Sequence, residues 1–81
     1  MPERVLDVRG LKCPMPIVRA KQELATLAAG DVLRVLATDK GSLLDFQGWA
    51  RQNPGFDLVA QKQDKDETGR DIFVHVLSKR A

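Results

Sequence analysis

Two prolines one residue apart, Pro14 and Pro16, stand at the head of the first stretch with helical periodicity and constrain the fold more than any other feature. Within a helix each would cost about 3 kcal/mol, because proline lacks an amide hydrogen and its ring clashes with the preceding turn. In the first turn that hydrogen has no intrahelical acceptor, so the cost nearly vanishes. A helix must therefore begin here. Its apolar stripe follows as Ile17, Ala20, Leu24, Leu27 and Ala28 at spacings of three and four, and Gly30 is the expected stop, giving a helix over 14–29. Pro14 pushes Cys13 away from helical dihedrals, which suits an N-cap or the residue just before one. Pro16 does the same to Met15, so a start at Pro14 and a start at Pro16 both remain open.

The other elements follow from shorter patterns. Arg4–Val8 is a β-branched, apolar run that stops at Gly10 and reads as a strand. Val32–Thr38 is nearly all apolar and suits an interior strand. Asp39-Lys40-Gly41-Ser42 is turn chemistry, with Ser42 as the expected N-cap of a second helix. That helix carries Leu43, Phe46, Trp49 and Ala50 on one stripe and ends at Asn53-Pro54-Gly55. Phe56–Gln63 and Asp71–Ser78 read as a hairpin around the polar loop 64–70. The order β-α-β-α-β-β predicts an α/β two-layer sandwich. It has a four-stranded mixed sheet, its first two strands parallel through a right-handed crossover, and two helices packed on one face. The uncovered face is a candidate contact surface.

At 81 residues with 30% charged residues, the chain reads as one domain, 1–81, of ordinary soluble composition. That size excludes an interdomain cleft and a fold of several nucleotide-binding βαβ units. No apolar run approaches the roughly 20 residues of a membrane span. Met1-Pro2-Glu3-Arg4 presents no secretory core, so the expected location is the cytoplasm. A net charge of +2 permits acidic partners without demanding them. One cysteine and one histidine allow no internal disulfide, no intramolecular dithiol cycle and no four-ligand zinc site without carboxylates or a second chain, so no metal is expected.

The chemistry concentrates at Cys13. A thiolate is the nucleophile, and a helix N-terminus with nearby cations lowers a thiol from its free value of about 8.5. Residues 8–22 contain Arg9, Lys12, Arg19 and Lys21 and no acid. A lone cysteine is most often a small buried hydrophobe; a Lys-Cys-Pro turn at a helix start favours a reactive role instead.

The run Leu6-Asp7-Val8-Arg9-Gly10-Leu11-Lys12-Cys13-Pro14-Met15-Pro16 resembles the signature of the TusA (SirA-like) family of small sulfur carriers. Asp7, Gly10, Cys13, Pro14 and Pro16 match its Asp-x-x-Gly-x-x-Cys-Pro-x-Pro spacing, Thr38-Asp39 matches a second feature, and Trp49 falls where members commonly carry an aromatic. The resemblance implies that Cys13 accepts sulfur as a persulfide from a donor such as a cysteine desulfurase or a rhodanese-like protein. It then passes that sulfur to an acceptor protein serving tRNA thiolation, molybdenum-cofactor synthesis or sulfur oxidation. It implies a relay protein rather than a stand-alone enzyme, with no cofactor besides the covalent sulfur and no direct nucleic-acid contact; no membrane association is expected, and the oligomeric state is open, with a monomer as the default for a soluble carrier.

Around Cys13, Asp7 is expected to bond loop amides, Gly10 to supply a positive φ, and Pro14 and Pro16 to shape the turn. Arg9, Lys12 and Arg19 either stabilise the sulfur anion or dock an acidic partner, or form a solvated basic surface. Asp39 reads as ordinary turn usage, Trp49 as core and His75 as a sheet-face residue. The competing reading is an RNA- or protein-binding adaptor with an incidental cysteine. Against it, Phe46 and Trp49 lie on the core stripe, which leaves no evident aromatic platform for bases.

Overall fold

Strand Val32–Ala37 alternates half-buried and buried residues, and that alternation organises the molecule. Leu33, Val35 and Ala37 point into the core, where they meet Ala20 and Leu24 of one helix and Phe46 of the other. The computed structural model describes residues 3–12 and 14–80. The elements are β1 (Glu3–Asp7), α1 (Met15–Leu24), β2 (Val32–Ala37), α2 (Ser42–Gln52), β3 (Phe56–Lys65) and β4 (Asp71–Lys79). The sheet order is β1-β2-β4-β3. β1 runs parallel to β2, and β4 is antiparallel to both β2 and β3. This is the mixed four-stranded sheet with two helices that the element order predicts.

Register assigns the faces. Val35 pairs with His75, and His75 with Gln61, so these three share the helix-covered face with Leu33 and Leu77. Asp7 pairs with Leu36 and Leu36 with Val74, which places this row on the other face. Two consequences follow for function. The exits of β1 and β2 and the β3–β4 turn all lie at one end of the sheet. The helix-free face is not uniformly open: Val5 is 62% exposed, yet Ile72 and Val74 are buried.

Several boundaries differ from the sequence expectation. α1 begins at Met15, between the two expected starts, with Pro14 as N-cap, and it ends at Leu24 rather than Ala29. The chain tightens there into three-residue turns: the Thr26 and Leu27 amides donate to Glu23 and Leu24 carbonyls, and Thr26 Oγ1 also donates to Glu23 O. A hydroxyl that bonds back onto the preceding turn competes with continuation of the helix. Leu27 still reaches the core, so the apolar stripe outlasts the helix. Ser42 is the first helical residue, not the cap; the N-cap is Gly41. The hairpin strands run two and one residues longer than expected, leaving the turn 66–70.

Candidate functional site

The segment between β1 and α1 is held on both sides of position 13. Val8 is buried and its amide donates to Leu36 O at 2.9 Å, extending the β1–β2 ladder. Gly10 takes φ +84, a left-handed conformation, and its amide donates to Thr38 Oγ1 at 2.8 Å. Leu11 N closes a turn onto Val8 O. Beyond position 13, Met15 N donates to Lys12 O at 2.8 Å, and Val18 N to Pro14 O. Pro16, in the first turn of α1, is buried, whereas Lys12, Pro14 and Arg19 are exposed and Met15 is 42% exposed. Cys13 itself, and with it the exposed, reactive thiol expected from the sequence, lies outside the described residues.

A Cβ added at Gly10 would meet nothing within 4 Å, so replacement by alanine strains the backbone without a clash. Gly10→Ala is expected to lose about 1–2 kcal/mol, the cost of a left-handed non-glycine residue. Urea unfolding measures it directly, and an unchanged midpoint would show that the turn relaxes freely.

Arg9 occupies a different position from that of a free cation. Its Nη2 and Nε donate to the two carboxylate oxygens of Asp7 at 2.7 and 2.9 Å, and its backbone amide donates to Asp7 Oδ1 at 3.0 Å. Its Nη1 reaches Glu67 at 3.1 Å and lies 3.6 Å from Asp66 Oδ2. The hydrogen bond from Arg9 is the first cause of an Asp7 carboxyl held below its ordinary range. Asp66 is 1% exposed at its side chain and accepts from Thr68 Oγ1 and from the Thr68 and Arg70 amides. That bonding, led by the Thr68 hydroxyl, lowers its pKa to about 2. The absence of acids in residues 8–22 suggested a uniformly positive environment. The fold instead brings Asp7, Asp66 and Glu67 onto Arg9, leaving Lys12, Arg19 and Lys21 as the exposed cations of that stretch.

Two surface depressions include the sequence neighbours of Cys13. One lies between the helices and is lined by Pro14, Ile17, Lys21, Leu44 and Trp49. Trp49 packs against the core and its ring lies 5.2 Å from that of Phe56, so it serves both core and groove. The other is lined by Gly10, Leu11, Lys12, Thr38 and Asp39 at the strand exits. Asp39 Oδ1 also accepts from Gly41 N, which shapes the entry to α2. Among the described residues no group of three His, Cys, Asp or Glu side chains could hold a metal ion. None of the described helices is long and apolar enough to cross a membrane.

A buried polar cluster lies on the helix-covered face. Ser42 Oγ donates to Asp39 O at 2.7 Å, so it receives the His75 Nε2 hydrogen across 2.8 Å. Gln61 Nε2 donates to His75 Nδ1 at 3.0 Å and to Leu43 O at 3.0 Å. The network assigns one neutral tautomer, protonated on Nε2. His75 is fully buried and stacks on Phe46 with ring centres 4.4 Å apart. Burial lowers its pKa to about 4. Its alternation with Phe73 and Leu77 marked the face; a buried imidazole on a helix-covered face needs two partners, and that requirement was the available signal for Ser42 and Gln61.

The family model described as sulfurtransferase TusA matches residues 4–76. The sulfur carrier protein TusA of Pseudomonas putida is 38% identical over 99% of this chain and 92% of its own length. That of Allochromatium vinosum is 45% identical over 76% of this chain and 80% of its own length. The crystal structure of a SirA-like protein from Desulfitobacterium hafniense superposes with a TM-score of 0.71 at 26% identity, covering 96% of this chain and 99% of that one.

Proposed function

Because this chain belongs to the sulfurtransferase TusA family, we propose that it is a sulfur carrier whose cargo rides on Cys13 as a persulfide. The observation that carries the reading is placement. The chain's single thiol stands in sequence between exposed Lys12 and the N-cap Pro14, where the exits of both parallel strands are pinned. The positive end of α1 and the Lys12 ammonium favour a negative charge there.

The exchange keeps atoms and electrons balanced. Cys13 loses its proton to solvent, and the thiolate attacks the outer sulfur of a persulfide on the donor protein. A new sulfur–sulfur bond forms at Cys13 as the donor's bond breaks, and the donor cysteine leaves as a thiolate. The moved sulfur keeps its oxidation state, so no external oxidant or reductant is consumed. Discharge repeats the step, with an acceptor cysteine as the attacker and Cys13 as the leaving thiolate. A donor of the cysteine desulfurase or rhodanese-like class and a thiol-bearing acceptor are the partners this chemistry requires.

Loading and discharge test the reading together. With a cysteine desulfurase and sulfur-labelled cysteine, label is expected to enter the protein and to leave it on addition of a thiol-bearing acceptor. Label that enters but never leaves would describe a modified surface thiol rather than a carrier.

A further inference from the structure

The β3–β4 turn crosses the end of the sheet to meet the loop leading into Cys13, and Arg9 makes the hydrogen bonds between them. Arg9 follows edge strand β1, whereas Asp66 and Glu67 belong to the turn beside the opposite edge strand, β3. Arg9 nevertheless bonds both Glu67 oxygens at 3.1 and 3.2 Å, 58 residues away in sequence, while gripping Asp7. The guanidinium is only 21% exposed, and the Asp66 carboxylate beside it is 1% exposed. A planar, forked cation between carboxylates from two segments fixes direction as well as distance. The Asp7 row lies on the helix-free face, so the arch draws the turn over the side where Ile72 and Val74 are buried without a helix above them.

We propose that Arg9 is a positioning residue for sulfur transfer: by tying Asp7 to the 66–70 turn it fixes the Gly10–Lys12 segment that delivers Cys13 to its partners. The proposal rests on the carrier reading for its functional consequence, but its structural half stands apart. Arg9 acts through geometry rather than by lending charge, because its charge is already matched by carboxylates. Lysine cannot replace it fully, since an ammonium lacks the fork that holds Asp7 and Glu67 at once. Glu67 is 73% exposed at its side chain, so Glu67→Gln removes one arm of the clamp with little risk to folding.

The test uses wild type, Arg9→Gln, Arg9→Lys and Glu67→Gln. Amide hydrogen exchange at Gly10 and Leu11 is expected to accelerate about tenfold in Arg9→Gln, less in Arg9→Lys and Glu67→Gln, with the Val35 and Leu77 amides unchanged. Maximal transfer rate from a loaded cysteine desulfurase should fall about tenfold in Arg9→Gln with KM little altered, as for a loss of productive orientation. The thiol pKa from alkylation rates should stay at its wild-type value. Unaltered exchange at Gly10 and Leu11 overturns the clamp, as does uniform acceleration through the core. A raised thiol pKa overturns it in favour of a direct electrostatic role. Should wild-type protein take up no sulfur, the carrier reading fails while the exchange measurement still decides the clamp.

Discussion

Acidification from pH 7 to pH 5 is expected to cost this protein up to about 2 kcal/mol of stability through His75 alone. The folded imidazole titrates near 4 because it is buried; unfolded, it returns to the ordinary value of 6.5. A depressed folded pKa means that the unfolded chain takes up the proton first. The stabilisation is therefore complete above about pH 6.5 and is lost as pH falls towards 4. The network explains why the folded state resists. A proton on Nδ1 would face the Gln61 amide hydrogen that now bonds there, and Ser42 and Gln61 supply no negative charge to compensate. The Asp7, Asp57, Asp66 and Asp71 carboxyls, all held below their ordinary value, add their own losses only at lower pH, as it falls below the unfolded carboxylate range. Urea unfolding at the two pH values measures the slope. In His75→Phe, which keeps a ring against Phe46 but cannot titrate, stability at pH 7 should drop and the slope should flatten. A wild-type protein equally stable at pH 7 and pH 5 would show that the imidazole is already open to protonation when folded.

Cys13→Ser is expected to reduce sulfur transfer by about a thousandfold or more, to the rate without carrier. A serine hydroxyl is barely ionised near neutrality, even at a helix start. It also lacks the polarisable sulfur that attacks a persulfide and then serves as its leaving group. The substitution changes one atom in a segment held by its neighbours, through Gly10 on Thr38 and Met15 on Lys12. The circular dichroism spectrum and urea midpoint should therefore match wild type. Steady-state transfer between a desulfurase and an acceptor, with carrier as the limiting component, reads the loss. Retention of a tenth of the wild-type rate in the variant would show that Cys13 does not bear the transferred sulfur.

Local rules made much of this legible. Pro14 and Pro16 forced a helix start within two residues because their missing hydrogens tolerate no other place. The run Val32–Thr38 read as an interior strand, and β2 lies between β1 and β4. Legibility failed where a distant partner or a local competitor decided. The end of α1 followed the Thr26 hydroxyl rather than the longer apolar stripe. Ser42 lost its expected capping role because its hydroxyl is engaged by Asp39 O and His75, the latter 33 residues away. At the site, Asp7 and Gly10 could be named from the family motif the sequence resembles, and their contacts lie within the loop or at the neighbouring strand exit. The acids on Arg9 could not be read off that stretch, because Glu67 arrives only when β4 returns antiparallel to β2. The β-α-β-α-β-β order placed that turn at the same sheet end; it did not fix which side chain would reach across.

A sulfur carrier must hold its cargo on the single cysteine of this chain and give it up again. Intact mass after incubation with a cysteine desulfurase and cysteine reads both steps. One added sulfur atom per molecule is predicted, released by a thiol reductant and absent when Cys13 has been alkylated beforehand. Uptake that persists after alkylation, or no uptake by the untreated protein, would contradict it.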